Sequence, residues 1–596
     1  MAVTPSETYS RALEERRRLV AASQRIATRL AFARLGIALA GAALAWLVLV
    51  PRTLSWPWLL IPAAAFAAAA RLHDRVLGRQ ARAERAVRFY ERGLARVDDR
   101  WAGGGCAGDE YLDPKHPYAS DLDLFGRASL FELLSTARTR SGEKTLASWL
   151  LSPALPEEVR VRQEAVKELR GRLDLREELC VLGEDVRSGV DTDGLVAWAC
   201  APALLEGRWQ VGAGAALAVA NLTTLGLFFS GVHGLGPFLV SAVVSGVFAR
   251  VHGKRAAHVL RAVERPAAEL RILAETLGRL EREPFRAALL RSLAAPLSGA
   301  PTPASRQIAS LARLSEWNES RRNQIFAPLA ALCLLGTQLA FALERFRARS
   351  GASVRHWVEA VGAMESLSSL AAFAFEHPED PFPEILEAGP VFEARGLGHP
   401  LLPAIRCVRN DVRMGHGLQL LMVSGSNMSG KSTLLRSVGV NTVLALAGAP
   451  VRARALALSP LQVAACMRVQ DSLAEGTSHF YAEIQRLHAL TSLGRSSGLP
   501  LLFLLDEVLH GTNSHDRRIG AEALVRGLVE RGALGLVTTH DLALAAIADE
   551  LAPRAANVHF EDHLEEDRIV FDYRLKPGVV RKSNALALMR AIGLEI

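Results

Sequence analysis

One nine-residue stretch constrains this chain more than any other. Gly425-Ser-Asn-Met-Ser-Gly-Lys-Ser-Thr433 follows the apolar run Leu418–Val423 and fits the pattern G-x-x-x-x-G-K-[ST]. That order predicts a strand, a glycine-rich turn and a helix start. Gly425 and Gly430 let the backbone curl so that successive N–H groups point at one phosphate. Lys431 is placed to reach β- and γ-phosphates, and the Ser432 hydroxyl to hold Mg²⁺. The expected cradle is therefore Gly425, Ser426, Asn427, Met428, Ser429, Gly430, Lys431, Ser432 and Thr433, around a nucleoside triphosphate.

Two later strand ends complete this reading. Leu501-Leu-Phe-Leu-Leu-Asp-Glu507 is a buried-strand pattern ending in two acids. Asp506 is placed to help hold Mg²⁺, and Glu507 to polarise a water for attack on the γ-phosphate. Gly535-Leu-Val-Thr-Thr-His540 is a third short apolar run, ending in a His that can donate a hydrogen bond to the γ-phosphate. Catalysis is thus expected from Glu507, His540 and Lys431, and metal binding from Ser432 and Asp506.

The rest of the chain differs in texture. Of 596 residues, 50% are hydrophobic and only 22% charged, which predicts globular domains with some membrane-embedded segments. Net charge is +8, so polyanions are plausible partners, although many arginines before residue 100 flank apolar runs. The six cysteines contain no C-x-x-C pair and read as reduced thiols, not as a disulfide or zinc framework.

An Arg-rich helix is expected over residues 5–34, within a leading segment 1–34. Apolar runs Leu35–Val50 and Leu54–Ala70 then predict a transmembrane hairpin (35–70). Arginines before the first run and after the second put both ends on the cytoplasmic side. A helix and linker fill 71–119. A second hairpin, 209–249, comes from Trp209–Ser230 and Leu235–Ala249, again with basic residues at both ends. Asn221 is its one strongly polar mid-span group, able to hydrogen-bond across it. A fifth run, Phe326–Leu343, has arginines on both sides and reads as a core helix of a soluble domain. The expected location is the inner (cytoplasmic) membrane, multi-pass, with the other domains facing the cytoplasm.

Taken together, GSNMSGKST, LLFLLDEVLHGTNSHD and VTTHD resemble the ATPase domain of the MutS family, a branch of the ABC-type ATPases. His399-Pro400 and Val408-Arg-Asn-Asp411 support the likeness. Gly476-Thr-Ser-His-Phe480 resembles the family's G-x-S-T-F signature. The resemblance implies ATP and Mg²⁺ as cofactors and a homodimer in which Ser478 reaches, in trans, the γ-phosphate held by the opposite subunit. It places Ser514 and Asp516 on a loop coupling the two sites. Ser129–Leu134, Thr139–Gly142, Leu146–Leu151 and Arg162-Gln163 resemble the start of the family's helical lever. The implied fold class is multidomain: a helical lever or core domain (120–208 and 250–390), and a C-terminal α/β ABC-type P-loop ATPase domain (391–596), with the two transmembrane hairpins.

Departures from the family matter as well. Residues before 120 are occupied by the Arg-rich helix and first hairpin, where a repair protein carries mismatch-binding and connector domains. Phe382-Pro-Glu384 lies in a Pro-rich linker and is unrelated to a mismatch wedge. Ser426 and Ser429 replace the usual Pro and Gly, and Asn513 replaces a Ser. An ABC exporter is disfavoured, because no L-S-G-G-Q element lies between Thr433 and Asp506. Two functions follow: a membrane-anchored, MutS-like ATPase coupling nucleotide state to DNA binding, or a nucleotide-switched membrane scaffold with a protein partner.

Overall fold

A computed structural model describes residues 4–51, 53–183, 192–205, 208–262, 267–299, 301–324, 326–426, 428–467, 479–496, 498–509, 514–565 and 568–580. The chain forms two compact units. The first comprises Met1–Ser135, Trp149–Val181 and Leu370–Ile596; the second comprises Thr136–Ser148 and Leu182–Ser369.

The first unit is built on a six-stranded sheet. Its spatial order is Lys576–Pro577, Ala555–His559, Leu420–Ser424, Leu534–Thr539, Leu501–Asp506 and Gln462–Cys466. All neighbours pair in parallel except the short edge strand Lys576–Pro577. The central strands bury every residue of Leu420–Ser424 and of Leu534–Thr539, without alternation. Continuous apolar runs do this when a parallel sheet is covered on both faces. Helix Lys431–Ala447 lies on one face and is buried along nearly its whole length. At Gly439 it comes so close that an added Cβ would sit 2.6 Å from Leu122 and 2.8 Å from Leu504. The contact with Leu122 shows why residues 120–135, expected in the helical domain, cluster with the sheet. A smaller four-stranded sheet joins Glu384–Ile385, Ala455–Leu458, Phe392–Leu397 and Asn410–Met414.

The Arg-rich segment and the first apolar run are not separate elements. They form one helix, Pro5–Leu49, started by a capping box between Thr4 and Glu7. The return helix is Leu60–Val97. The two run antiparallel: Arg34 lies over the Phe66 ring, Arg17 pairs with Glu91, and Tyr9 packs against Gly93. At the base, Tyr9 stacks among Phe89, Tyr90 and Phe375. Its hydroxyl donates to Glu376 at 3.0 Å, and Arg96 donates two bonds to the same carboxylate at 2.6 and 2.7 Å. At the far end Trp46, Trp56 and Trp58 are more than half exposed. The second apolar run, Leu54–Ala70, is not one continuous α-helix. A 3₁₀ turn occupies Trp56–Leu59, and only the stretch Leu60–Ala70 precedes Arg71. That helical length is about 16 Å, against a hydrocarbon core of about 30 Å.

The second unit is helical among its described residues. Helices Arg208–Phe229 and Gly236–Ala262 form the second hairpin. Asn221 donates to Ser245 Oγ across the hairpin at 2.9 Å and to the Leu332 carbonyl at 2.9 Å; Thr224 and Ser241 meet at 3.2 Å. Among the described residues, four helices are long and apolar enough to cross a membrane: Pro5–Leu49, Trp209–Phe229, Gly236–Arg261 and Leu335–Glu376. In the last, 83% of the apolar window is buried inside the protein, against 0%, 17% and 6% in the others. The run Phe326–Leu343 is not one helix. It divides into Ala327–Leu332 and the start of Leu335–Glu376, separated at Leu334, whose φ is +52°. Leu339, Ala340, Phe341 and Leu343 are buried as a core helix requires, while Leu329 is 48% exposed.

Candidate functional site

Parallel pairing brings the three predicted strand ends to one edge of the large sheet. Leu534–Thr539 lies between the other two, so Thr538 is in register with both Val423 and Asp506. Ser424, Asp506 and Thr539 therefore end together, and the loops beyond them carry the P-loop, Glu507 and His540. The carboxyl ends of parallel strands are where ligands bind in such sheets.

The P-loop turn is held in left-handed backbone at Gly425 (φ +151°), Met428 (φ +67°) and Gly430 (φ +104°). Lys431 opens the helix, and its side chain is 5% exposed. The ammonium donates to the carbonyls of Gly425 at 2.7 Å and Ser426 at 3.0 Å. It also lies 3.5 Å from Glu507 Oε1, and His540 Nδ1 approaches the same oxygen at 3.6 Å. Glu507 is itself left-handed, at φ +50°. Strain of this kind persists only where surrounding structure over-determines it.

Thr538 ties the acidic pair to its neighbour strand. Its hydroxyl donates to Asp506 Oδ1 and accepts from the Glu507 N–H at 3.0 Å. Beyond Glu507, the Leu509 N–H donates to Glu483 at 2.6 Å. These bonds fix the Asp506 carboxylate and the backbone at Glu507 and Leu509.

A cavity of about 690 Å³ opens in front of this edge. Ser426, Met428, Gly430, Lys431, Ser432, Thr433 and Glu507 line it, together with Leu402, Arg406, Val408, Asn410, Phe560 and Tyr573. Met428 is 86% exposed at the rim. Asn410 secures the far wall: its amide donates to the Tyr573 carbonyl at 3.0 Å and its Oδ1 accepts from Leu575 N–H at 2.8 Å. Ser429 Oγ is buried without a hydrogen-bond partner. A buried ammonium, an unsatisfied hydroxyl, a helix N-terminus and a roomy cavity together fit a polyphosphate. Ser432 and Asp506 supply only hard oxygen donors, as suits Mg²⁺ bound mainly through phosphates and water.

His399 is buried; burial foremost, then the charge of Arg436, lowers its pKa to about 4. Its Nδ1 accepts from the Leu401 N–H at 3.2 Å, so it serves as a neutral acceptor. Cys466, at the end of the outermost strand, is pushed up to about 12, chiefly by burial, and is an inert thiol. All six cysteines are free.

Asn427 and Ser478 lie outside the described residues, as does Asn513. Ser514 and Asp516 lie in the first turn of helix Ser514–Glu530. Sequence reasoning missed Thr538, Asn410, Phe560 and Tyr573. Of these, Asn410 stood inside a recognised stretch and Thr538 beside the His540 motif; Phe560 and Tyr573 carried no local signal.

The sequence model of MutS domain V matches residues 421–595. A DNA mismatch repair protein MutS 2 of Halobacterium salinarum is 32% identical over 239 residues, 39% of this chain and 27% of that protein. A DNA mismatch repair protein MutS of Brevibacillus brevis is 32% identical over 228 residues, 37% of this chain and 26% of the relative. An endonuclease MutS2 of Thermus thermophilus is 32% identical over 214 residues, 35% and 27% of the two chains. The chain thus spans about a quarter of the length of these curated relatives. The P-loop, the acidic strand end and the His540 strand all fall inside the matched stretch, so it is residues 421–595 of this chain that belong to MutS domain V.

Proposed function

We propose that this chain binds ATP with Mg²⁺ and hydrolyses it as a homodimer, coupling nucleotide state to DNA binding from a membrane. The observation that carries the catalytic part is Glu507, held by Thr538 and facing both Lys431 and His540 at the cavity edge. ATP with Mg²⁺ would supply the phosphoryl group and a charge-neutralising cation. Lys431 and the turn from Gly425 to Thr433 hold phosphate oxygens; Ser432 and Asp506 offer the metal's protein oxygens. Glu507 accepts the proton of an attacking water, and His540 donates to developing charge. Ser478 is assigned the trans contact that makes the site need a second subunit.

DNA enters this reading through the repair proteins the chain resembles and its positive charge. The membrane enters through the exposed apolar helices of the second hairpin and the Trp-rich end of the first. Purified full-length protein should hydrolyse ATP, and Lys431→Ala should lose nucleotide affinity. Fluorescence anisotropy with duplex DNA tests the coupling: affinity should fall with salt and change between ATP and ADP. DNA binding that is absent in every nucleotide state would remove the DNA part and leave the second reading. That reading is a nucleotide-switched membrane scaffold for a protein partner, favoured by the hairpin standing within the helical unit.

A further inference from the structure

A second cavity, of about 700 Å³, lies wholly in the helical unit, between helices Ala304–Ser320 and Leu335–Glu376. Arg306 and Arg313 face it from one helix, seven residues apart; Arg345 and Arg349 face it from the other, four apart. These spacings put each pair on one helix face. Among the described residues, no Asp or Glu lines the cavity and none of the four guanidiniums is ion-paired. Gln307 and Ser350 meet across its floor, with Phe346 and Leu314 supplying apolar surface. Like charges gathered without acids repel one another, so the arrangement is stabilised by an anion.

The depth of this cavity relative to the second hairpin follows from a series of contacts. Asn221, midway along helix Arg208–Phe229, bonds to the Leu332 carbonyl. Gly214, nearer the start of that helix, lies against Gln338. Glu344 then accepts from the Leu204 N–H at 3.3 Å, and Arg347 donates to the Ala201 and Pro202 carbonyls. As residue numbers rise from Leu332 to Arg347, those of their partners fall from Asn221 to Ala201. Arg345 and Arg349 therefore stand level with the residues just before that arm begins. If the arm spans a bilayer, this level is the headgroup layer on the side of both hairpin ends.

We propose that this cavity binds the phosphate headgroup of an anionic phospholipid. The inference rests on the reading of the second hairpin as membrane-spanning. Basic pockets beside transmembrane helices on the cytoplasmic side bind such headgroups. Opposed arginines suit phosphate through paired donors, and the apolar surface of Leu314 and Phe346 suits a glycerol backbone. The cavity is open to solvent, with all four arginines exposed at its mouth, and its volume fits one headgroup rather than the extended track that a nucleic-acid backbone follows.

The test uses full-length protein in detergent, titrated with short-chain dioctanoyl phosphatidylglycerol or the phosphatidylcholine analogue. The wild type should bind the anionic lipid selectively, and Arg345→Gln/Arg349→Gln should weaken that binding at least about tenfold. Arg345→Lys/Arg349→Lys should retain much of it, which separates charge from loss of fold. Equal binding by wild type and the Gln pair overturns the proposal. So does displacement of the lipid by tripolyphosphate or by duplex DNA at comparable concentration, which would assign the cavity to a free anion or to nucleic acid. Carbonate extraction of membranes reads the hairpin separately: wild type and both variants should stay in the pellet. Release of the wild type would mean that the hairpin reading failed.

Discussion

Two ion pairs in the first unit differ in one respect that separates a staple from a site. Arg96 and Glu376 are joined by two hydrogen bonds of 2.6 and 2.7 Å, and Tyr9 fills a further acceptor position. The pair is dry, with the Glu376 side chain fully buried and Arg96 9% exposed. Burial, then the neighbouring Glu376 charge, pushes the Tyr9 phenol well above its usual range, so it remains a donor. Lys431 and Glu507 stand 3.5 Å apart, beyond the ordinary hydrogen-bond range of about 2.7–3.2 Å, and Glu507 is 26% exposed beside a cavity. The first arrangement has spent its donors on one partner. In the second, the ammonium is shared among two carbonyls and a carboxylate, and can exchange them for a phosphate.

The largest test of that contrast is Glu507→Gln. Loss of the general base should lower ATP turnover by about 10²–10⁴-fold while nucleotide binding persists, measured by steady-state hydrolysis and equilibrium binding. Wild-type turnover in this variant would remove Glu507 from the chemistry. Arg96→Ala should do the opposite: leave a buried carboxylate unpaired and cost about 3–5 kcal/mol of stability, read by denaturant unfolding of the first transition, with activity per folded molecule unchanged. An Arg96 variant as stable as wild type would break the staple reading.

A pH test follows from His399, which is buried and neutral. Its folded pKa of about 4 lies below the ordinary 6.5, so the unfolded chain binds more protons between those values. Stability from this group is present above about pH 6.5 and is lost as pH falls toward the folded value. His399→Asn keeps an acceptor near the Leu401 N–H, and should flatten the melting-temperature slope between about pH 4 and 6.5. The smallest effect is expected at Thr538→Val, which removes one hydroxyl from between Asp506 and Glu507. Stability should drop by about 1–2 kcal/mol, and Mg²⁺-dependent turnover should fall more than nucleotide affinity. Unchanged Mg²⁺ dependence would mean that Asp506 needs no such support.

Much of the site was legible because its chemistry is local. Gly425 to Thr433 is one turn, Asp506 and Glu507 are adjacent, and His540 ends its own strand. Thr538 was not legible as a partner of Asp506, because only the parallel register between the two strands puts them side by side. Phe560 and Tyr573 reach the cavity through long-range chain return, for which neighbouring residues give no sign. The hairpins show a different limit. Hydropathy alone gave Leu54–Ala70 the same standing as Trp209–Ser230, yet the first begins with a turn and yields a short apolar helix. Likewise Phe326–Leu343 looked like one helix until Leu334 took a left-handed conformation.

By itself the sequence determined that a phosphate-binding turn stands between strand and helix, that two acids and a His each end an apolar strand, and that long apolar helices are present. Those properties depend on residue type and short spacing, which the linear chain carries. Tertiary structure alone decided which strand lies between which, where Thr538 and Tyr573 fall, and that four arginines from two helices share one cavity. These depend on packing between segments far apart in the chain, where burial and hydrogen bonding choose among partners that local pattern leaves equivalent.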